Sequence, residues 1–168
     1  MDKKIGIIAA ALVSLFSINS YAVDINITGL VIASPCIVNG NNPSLDVNLG
    51  NDILADSLST AGSATSWKDF TLSLTNCPAS TTSFSVAFSG TTDTDTDYYK
   101  NTGGATNLKL ELTNQAGDVS FKNGASLQNV IIPGTHTYDL KMRSRAVSKG
   151  NVMPGSIQGQ VQATFTYQ

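Results

Sequence analysis

The chain holds little of what chemistry at a site usually requires. Two cysteines and one histidine, His136, are too few for a zinc site of the usual ligand count. There is no G-x-S-x-G turn for His136 to serve. Nowhere does a motif pair a nucleophile with a base, so the sequence offers nothing to hydrolase or transferase chemistry. No enzyme activity, cofactor, metal or small-molecule substrate is expected. Charged residues make up only 13% and aromatics 7%. No basic patch is present, which argues against a nucleic-acid partner. A disordered chain is also ruled against, because the apolar residues alternate too regularly.

Long hydrophobic runs are missing as well. The longest apolar stretch, Ile5 to Phe16, is shorter than the roughly 20 residues that span a bilayer. Lys3 and Lys4 precede it, and a polar Ser17–Tyr21 and the small Ala22 follow. A basic start, an apolar core and an S-x-A site predict a signal peptide over residues 1–22. Cleavage after Ala22 leaves 146 of the 168 residues, Val23–Gln168. That length suits one domain with a real core. Taking Asp2, Lys3 and Lys4 away from the 12 acidic and 10 basic residues leaves a net charge near −3. In an exported chain, the even cysteine count reads as one disulfide, Cys36 to Cys77.

What the chain does have is period-two alternation. Leu45, Val47 and Leu49 alternate before Gly50, and Phe70, Leu72 and Leu74 before Cys77-Pro78. So do Phe84, Val86 and Phe88, then Leu108, Leu110 and Leu112, then Tyr138, Leu140 and Met142. Each run predicts a half-buried strand. Turn pairs punctuate them: Asn39-Gly40, Ser89-Gly90, Asn123-Gly124, Pro133-Gly134 and Pro154-Gly155. Only Asn51–Thr65 has room for a helical turn, and Gly62 limits it. Many short strands with one polar face imply two packed sheets, an all-β immunoglobulin-like sandwich. The bridge is expected to join early neighbours.

The two ends are related. From Gly155, the odd positions Gly155, Ile157, Gly159, Val161, Ala163, Phe165 and Tyr167 are apolar, small or aromatic, and the even ones are polar. This predicts a last strand ending at Gln168, with no following strand to cover its edge. Exposed edges of this kind are normally covered. At the front, Val23, Ile25, Ile27, Gly29, Val31 and Ala33 alternate with Asp24, Asn26 and Thr28. Leu30 and Ile32 break the polar parity, and there the run is expected to enter the domain's own first strand. A sandwich short of one strand and carrying a spare one is complementary to itself head to tail, and such a contact does not close, so it makes a fibre. The pattern alone also allows a simpler reading, in which the N-terminal run is the first strand of a complete sandwich.

These residues resemble the pilins of the chaperone–usher pathway. The marks are the alternating extension before Cys36, the SPC and TNCP contexts of Cys36 and Cys77, Gly155 fourteenth from the end and Tyr167 penultimate. The segments WKDFTLSLTNCP and YYKN look most like minor tip subunits of type 1 fimbriae. The resemblance implies a donor-strand extension over residues 23–33 and a pilin domain over 34–168 lacking its last strand. It implies a neighbouring pilus subunit on each side, a periplasmic chaperone and an outer-membrane usher as partners. It also implies donor-strand residues Ile25, Ile27, Gly29, Val31 and Ala33, with Gly29 over a shallow pocket. The chaperone contact maps onto the odd face from Gly155 to Tyr167 and the terminal carboxylate of Gln168. The implied setting is a cell-surface fimbrium reached through the periplasm. A rod pilin and an adhesin remain as alternatives, although adhesins of this pathway look like two domains and lack the extension.

Two motifs compete with this reading. Asp93-Thr94-Asp95-Thr96-Asp97 suggests a calcium loop, but Tyr98 stands where glycine is needed and Gly104 where glutamate is needed. A solvated loop is expected instead. Asn26-Ile27-Thr28 is a glycosylation sequon by pattern, discounted because it lies in the strand that must be buried.

Overall fold

The computed structural model describes residues 26–168. The expected signal segment 1–22, its expected cut after Ala22, and Ile25 lie outside the described residues. The chain divides into two units between Val31 and Ile32. In the first, residues 26–31 carry no strand or helix, and Ile27 and Val31 are 92% and 98% exposed.

The second unit is built of eight strands: β1 Ile37–Val38, β2 Lys68–Thr75, β3 Ser83–Gly90, β4 Tyr99–Lys100, β5 Thr106–Asn114, β6 Ser126–Ile131, β7 Tyr138–Met153 and β8 Val161–Tyr167. One sheet has the order β1-β2-β7-β5-β4 and the other β6-β3-β8. Every strand pairing is antiparallel. The alternating residues do what period two dictates. Leu72 and Leu74 of β2, Phe84, Val86 and Phe88 of β3, Leu112 of β5, and Leu140 and Met142 of β7 meet in one core. Phe84 lies edge-on to Tyr138 with ring centroids 5.1 Å apart, and Phe88 stacks on Phe121 at 4.5 Å. The opposite face of the larger sheet is polar. There Trp67 sits between the guanidinium groups of Arg143 and Arg145, at 4.2 and 4.1 Å. Arg145 also pairs with Glu111 at 2.7 Å.

Cys36 lies just before β1 and Cys77 just after β2, and the two are bonded. Because β1 pairs directly with β2, the bridge joins neighbouring strands, as the spacing suggested. The one helical turn of the 51–65 stretch is a short 3-10 turn, Ala55–Leu58, whose Leu58 is buried.

Three expectations need correction. Leu45, Val47 and Leu49 belong to no strand. The N-terminal run does not pass into a strand at Leu30–Ile32; the first strand begins at Ile37, beyond the disulfide. The last strand starts at Val161 rather than Gly155. Gly103 and Gly155 account for that third difference, because backbone from two segments meets there with no room for a Cβ on either. The chain before Val161 is thereby drawn to residues 101–105 instead of to β3.

Candidate assembly groove

β8 lies at an edge of its sheet, with β3 its only hydrogen-bonded neighbour among the described residues. Its register on β3 runs from Val161 opposite Gly90 to Tyr167 opposite Phe84. Val161, Ala163, Phe165 and Tyr167 turn toward the core yet stay half-buried, while Gln162, Thr164, Thr166 and Gln168 are exposed. Residues with core-facing side chains on a central strand would be fully covered, as Phe84, Val86 and Phe88 on β3 are.

The missing cover corresponds to a groove of about 1760 Å³ between the two sheets. Leu72, Phe88, Leu110, Leu112 and Met142 contribute apolar surface to it. One wall is the segment Met153–Ala163 with Phe165; the other runs through residues 41–51 and 53–55 to Leu58. Among the described residues, Asp46 and Glu111 are the only charged ones lining it. A small-ligand pocket occupies roughly 300–1,000 Å³. This groove is larger than that, almost uncharged, and runs along β8 from Val161 as far as Phe165, dimensions that suit an extended peptide.

The odd-numbered residues of the C-terminal segment divide between two surroundings. Val161, Ala163, Phe165 and Tyr167 pack against the main core, and Ile157 against the small cluster of Leu58, Ala105, Leu108 and Ala146. Ser156 O accepts from Ala105 N–H at 3.0 Å, and Gln158 O from Thr102 N–H at 2.8 Å. Gln158 N–H donates to Asn101 Oδ1 at 2.8 Å. Gly155 is required by closeness, since a Cβ on it would overlap the Gly104–Ala105 backbone, while at Gly159 a Cβ would meet Leu110 Cδ1, the end of a side chain that can turn aside. At the other end, the main-chain oxygen of Gln168 accepts from Thr82 N–H at 2.8 Å and Ser83 N–H at 3.1 Å. The Tyr167 hydroxyl is buried and has no partner among the described residues, and burial raises its pKa. Tyr99, also at the groove, donates its hydroxyl to Phe121 O at 2.7 Å, and burial pushes its pKa up to about 12.

Of the residues expected in the donor strand, Ile27, Gly29, Val31 and Ala33 fall among those described, and none lies in a strand. A Cβ on Gly29 would meet nothing within 4 Å. Ser34, where the pilin domain was expected to start, is tied down by Thr81, whose hydroxyl donates to Ser34 O at 2.6 Å.

The aspartate loop has a different explanation from calcium. Asp93 takes Lys149 at 2.9 Å, Asp95 takes Lys109 at 2.7 Å and Asp97 takes Lys122 at 2.7 Å. Burial opposes ionisation of Asp93. Hydrogen bonds from Lys149, the Asp95 N–H and Thr94, with the Lys149 charge, outweigh it and hold the pKa below 3.8. His136 is exposed, and its carbonyl accepts from Cys77 N–H at 3.1 Å.

Sequence reasoning assigned the β8 side of the groove and left the 41–58 wall unassigned. The alternation of Leu45, Val47 and Leu49 was the available signal, but it names no partner.

Comparison with known proteins fits this geometry. Residues 25–168 match the family described as fimbrial protein. Protein FimG of Escherichia coli (strain K12) is 36% identical over 98% of this chain and 97% of its own length. The S-fimbrial adhesin protein SfaS of Escherichia coli O6:K15:H31 (strain 536 / UPEC) is 39% identical over 99% of both chains. Among solved structures, the P pilus rod subunit PapA superposes with a TM-score of 0.64 at 18% identity, covering 86% of this chain and all of that one. The P pilus adaptor subunit PapF gives 0.53 at 15% identity, covering 81% of this chain and 98% of that one. At those identities the two structures speak to fold, and the fold is the immunoglobulin-like one of pilin subunits. An all-β sandwich with an open edge strand and a match along nearly its whole length together establish that the chain belongs to the fimbrial protein family.

Proposed function

We propose that the chain is a structural subunit of an adhesive fimbria, a minor adaptor near the tip, and that it polymerises by donor-strand exchange. In this reading, the extension 23–33 of one subunit fills the groove of the next, with Ile25, Ile27, Gly29, Val31 and Ala33 turned inward. The face from Gly155 to Tyr167 and the carboxylate of Gln168 engage a periplasmic chaperone first, and the exchange takes place at an outer-membrane usher. Chaperone–pilin strand donation is a known case of β-augmentation.

The observation that carries the reading is the half-covered face of β8, which has a ladder partner on one side and an apolar groove beside it. Ile27 and Val31, at 92% and 98% exposed, have nearly their whole side chains left to bury. With Ile25, that burial yields roughly 5–9 kcal/mol gross at about 1.5–3 kcal/mol each. A one-residue slip would turn Asp24, Asn26 and Thr28 inward, so the register is strict.

The test is thermal unfolding of Val23–Gln168, with and without a second copy of Val23–Ala33 fused after Gln168 by a flexible linker. The expected result is a melting temperature higher by tens of degrees in the fused chain. No change would remove the assembly role. The adaptor position rests on the likeness of WKDFTLSLTNCP and YYKN to tip subunits, and labelled antibody on intact fimbriae tests it: tip labelling supports it, and labelling along the shaft favours a rod subunit.

A second reading is favoured by one relative, whose name describes a fimbrial adhesin. Under it, the chain binds a host receptor in addition to assembling. Retention of the fused, non-polymerising chain on host cells would support that role.

A further inference from the structure

A strand at a sheet edge carries a row of unpaired N–H and C=O groups, and chains normally blunt such edges by keeping them short or charged. Among the described residues, the two sheets end in four edges: β1, β4, β6 and β8. β1 and β4 are two residues long each, and β4 ends in Lys100. β8 borders the groove described above. β6 has neither protection. It runs six residues, Ser126–Ile131, with β3 its only hydrogen-bonded neighbour among the described residues. No aspartate, glutamate, lysine or arginine occurs from Asn123 to Tyr138, and Ile131 is 69% exposed.

The side chains of β6 are also only partly covered. Leu127 and Val130 pack on the main core yet stay half-buried. A cleft of about 390 Å³ opens beside them, with Phe121, Tyr138 and Leu140 in its lining. The two core-facing residues stand three apart because β6 carries one extra residue: Phe84 pairs with Val130 and Val86 with Leu127. The N–H of Asn129, within that bulge, donates to Ser85 Oγ at 3.1 Å, so it is satisfied from the β3 side.

This spacing is complementary to itself. Consider a second β6 laid antiparallel about a two-fold axis between Gln128 and Asn129. Ser126 then stands opposite the second copy's Ile131, and Leu127 opposite its Val130. Apolar meets apolar on the core side, and no like charges oppose each other. From this juxtaposition we infer that β6 is a lateral interface on which a second copy of the chain pairs its own β6, joining two three-stranded sheets into one of six. Six residues reach roughly 20 Å, so the contact is small and belongs with transient interfaces. Strand donation joins subunits end to end without closing. The β6 contact uses one patch twice and closes at a dimer, so it joins subunits side by side.

Sedimentation of the chain with the second Val23–Ala33 copy fused after Gln168 tests this, because β8 then has a donor of its own. A monomer–dimer equilibrium that shifts with concentration is expected. Gln128 is exposed, so Gln128→Lys and Gln128→Glu should leave the melting temperature unchanged. The two-fold axis sets each new charge beside its own copy, so either variant alone should dimerise at least about tenfold more weakly. Mixing the two variants should restore the dimer, because opposite charges then meet. A chain that is monomeric at every concentration, a dimer unchanged by Gln128→Lys, or a mixture that stays monomeric would each overturn the inference. Position 128 lies on β6 and not on β8, so these outcomes hold whether or not strand donation does.

Discussion

Gly159 lies against Leu110 so closely that a methyl group on it would overlap Leu110 Cδ1, whereas at Gly155 the obstacle is the backbone of Gly104 and Ala105. Leucine ends can rotate away, and a hydrogen-bonded backbone cannot. Overpacking typically costs about 1–3 kcal/mol. Gly155→Ala is therefore expected at the upper end of that range, and Gly159→Ala at or below the lower end. Denaturant melts of the two variants check the order, and equal losses would contradict it.

Asp93 predicts a pH dependence with a defined sign. Its folded pKa lies below 3.8, so its ionised form contributes stability that is present above the unfolded value and lost as pH falls through the folded one. Asp93→Asn should cost about 1–2 kcal/mol near neutral pH, discounted because the Lys149 partner is partly exposed. The gap between wild type and variant should stay level above pH ~5 and close below pH ~4. A gap that persists at pH 2 would locate the effect in packing rather than charge.

The Cys36–Cys77 bridge spans 41 residues of sequence, for which loop-closure entropy gives about 4 kcal/mol. Paired Cys36→Ser and Cys77→Ser substitutions should lower the melting temperature by roughly 8–16 °C in a domain of this size. Calorimetry under oxidising conditions measures it.

Gly29→Arg tests the extension apart from the body. Gly29 has open space around it, so the substitution should leave the melting temperature unchanged. Incorporation into fimbriae should stop, because in the proposed exchange an arginine side chain would be brought against a shallow pocket. Polymerisation at the normal rate would show that Gly29 faces no pocket.

Tyr167 offers a less intuitive outcome. A buried hydroxyl without a partner opposes folding, so Tyr167→Phe should be neutral or stabilising by up to about 1 kcal/mol. Tyr99→Phe, which removes the bond to Phe121 O, should instead destabilise by about 1 kcal/mol. Similar losses for both would reveal a partner for Tyr167 in solution.

The core was legible because it rests on local alternation: the runs at Phe70–Leu74, Phe84–Phe88, Leu108–Leu112 and Tyr138–Met142 all lie in strands. β6 was not, because Ser126, Gln128 and Asn129 blur its pattern and Asn129 takes a positive φ of 53°. β7 outruns the alternating run Tyr138–Met142, since Ser144, Arg145 and Ser148 look polar yet pair with β5. The reach of β8 depended on the approach of Gly103 to Ser156 and of Gly155 to the Gly104–Ala105 backbone, which no window of sequence displays. The lysine partners of the aspartate loop were hidden for the same reason: they stand 14, 25 and 56 positions away.

The placement of the disulfide has a mechanical consequence. Tension applied ahead of Ser34 reaches Cys36 and there meets a covalent crossing to the end of β2. From that point it is shared by the seven residue pairs, Lys68 with Ser144 through Leu74 with Tyr138, that join β2 to β7. The ladder bonds lie across the strands, so a pull along β2 loads them together in shear instead of peeling them one at a time. The bridge thus passes force past the two-residue β1, the weakest pairing on that route, and into the middle of the larger sheet.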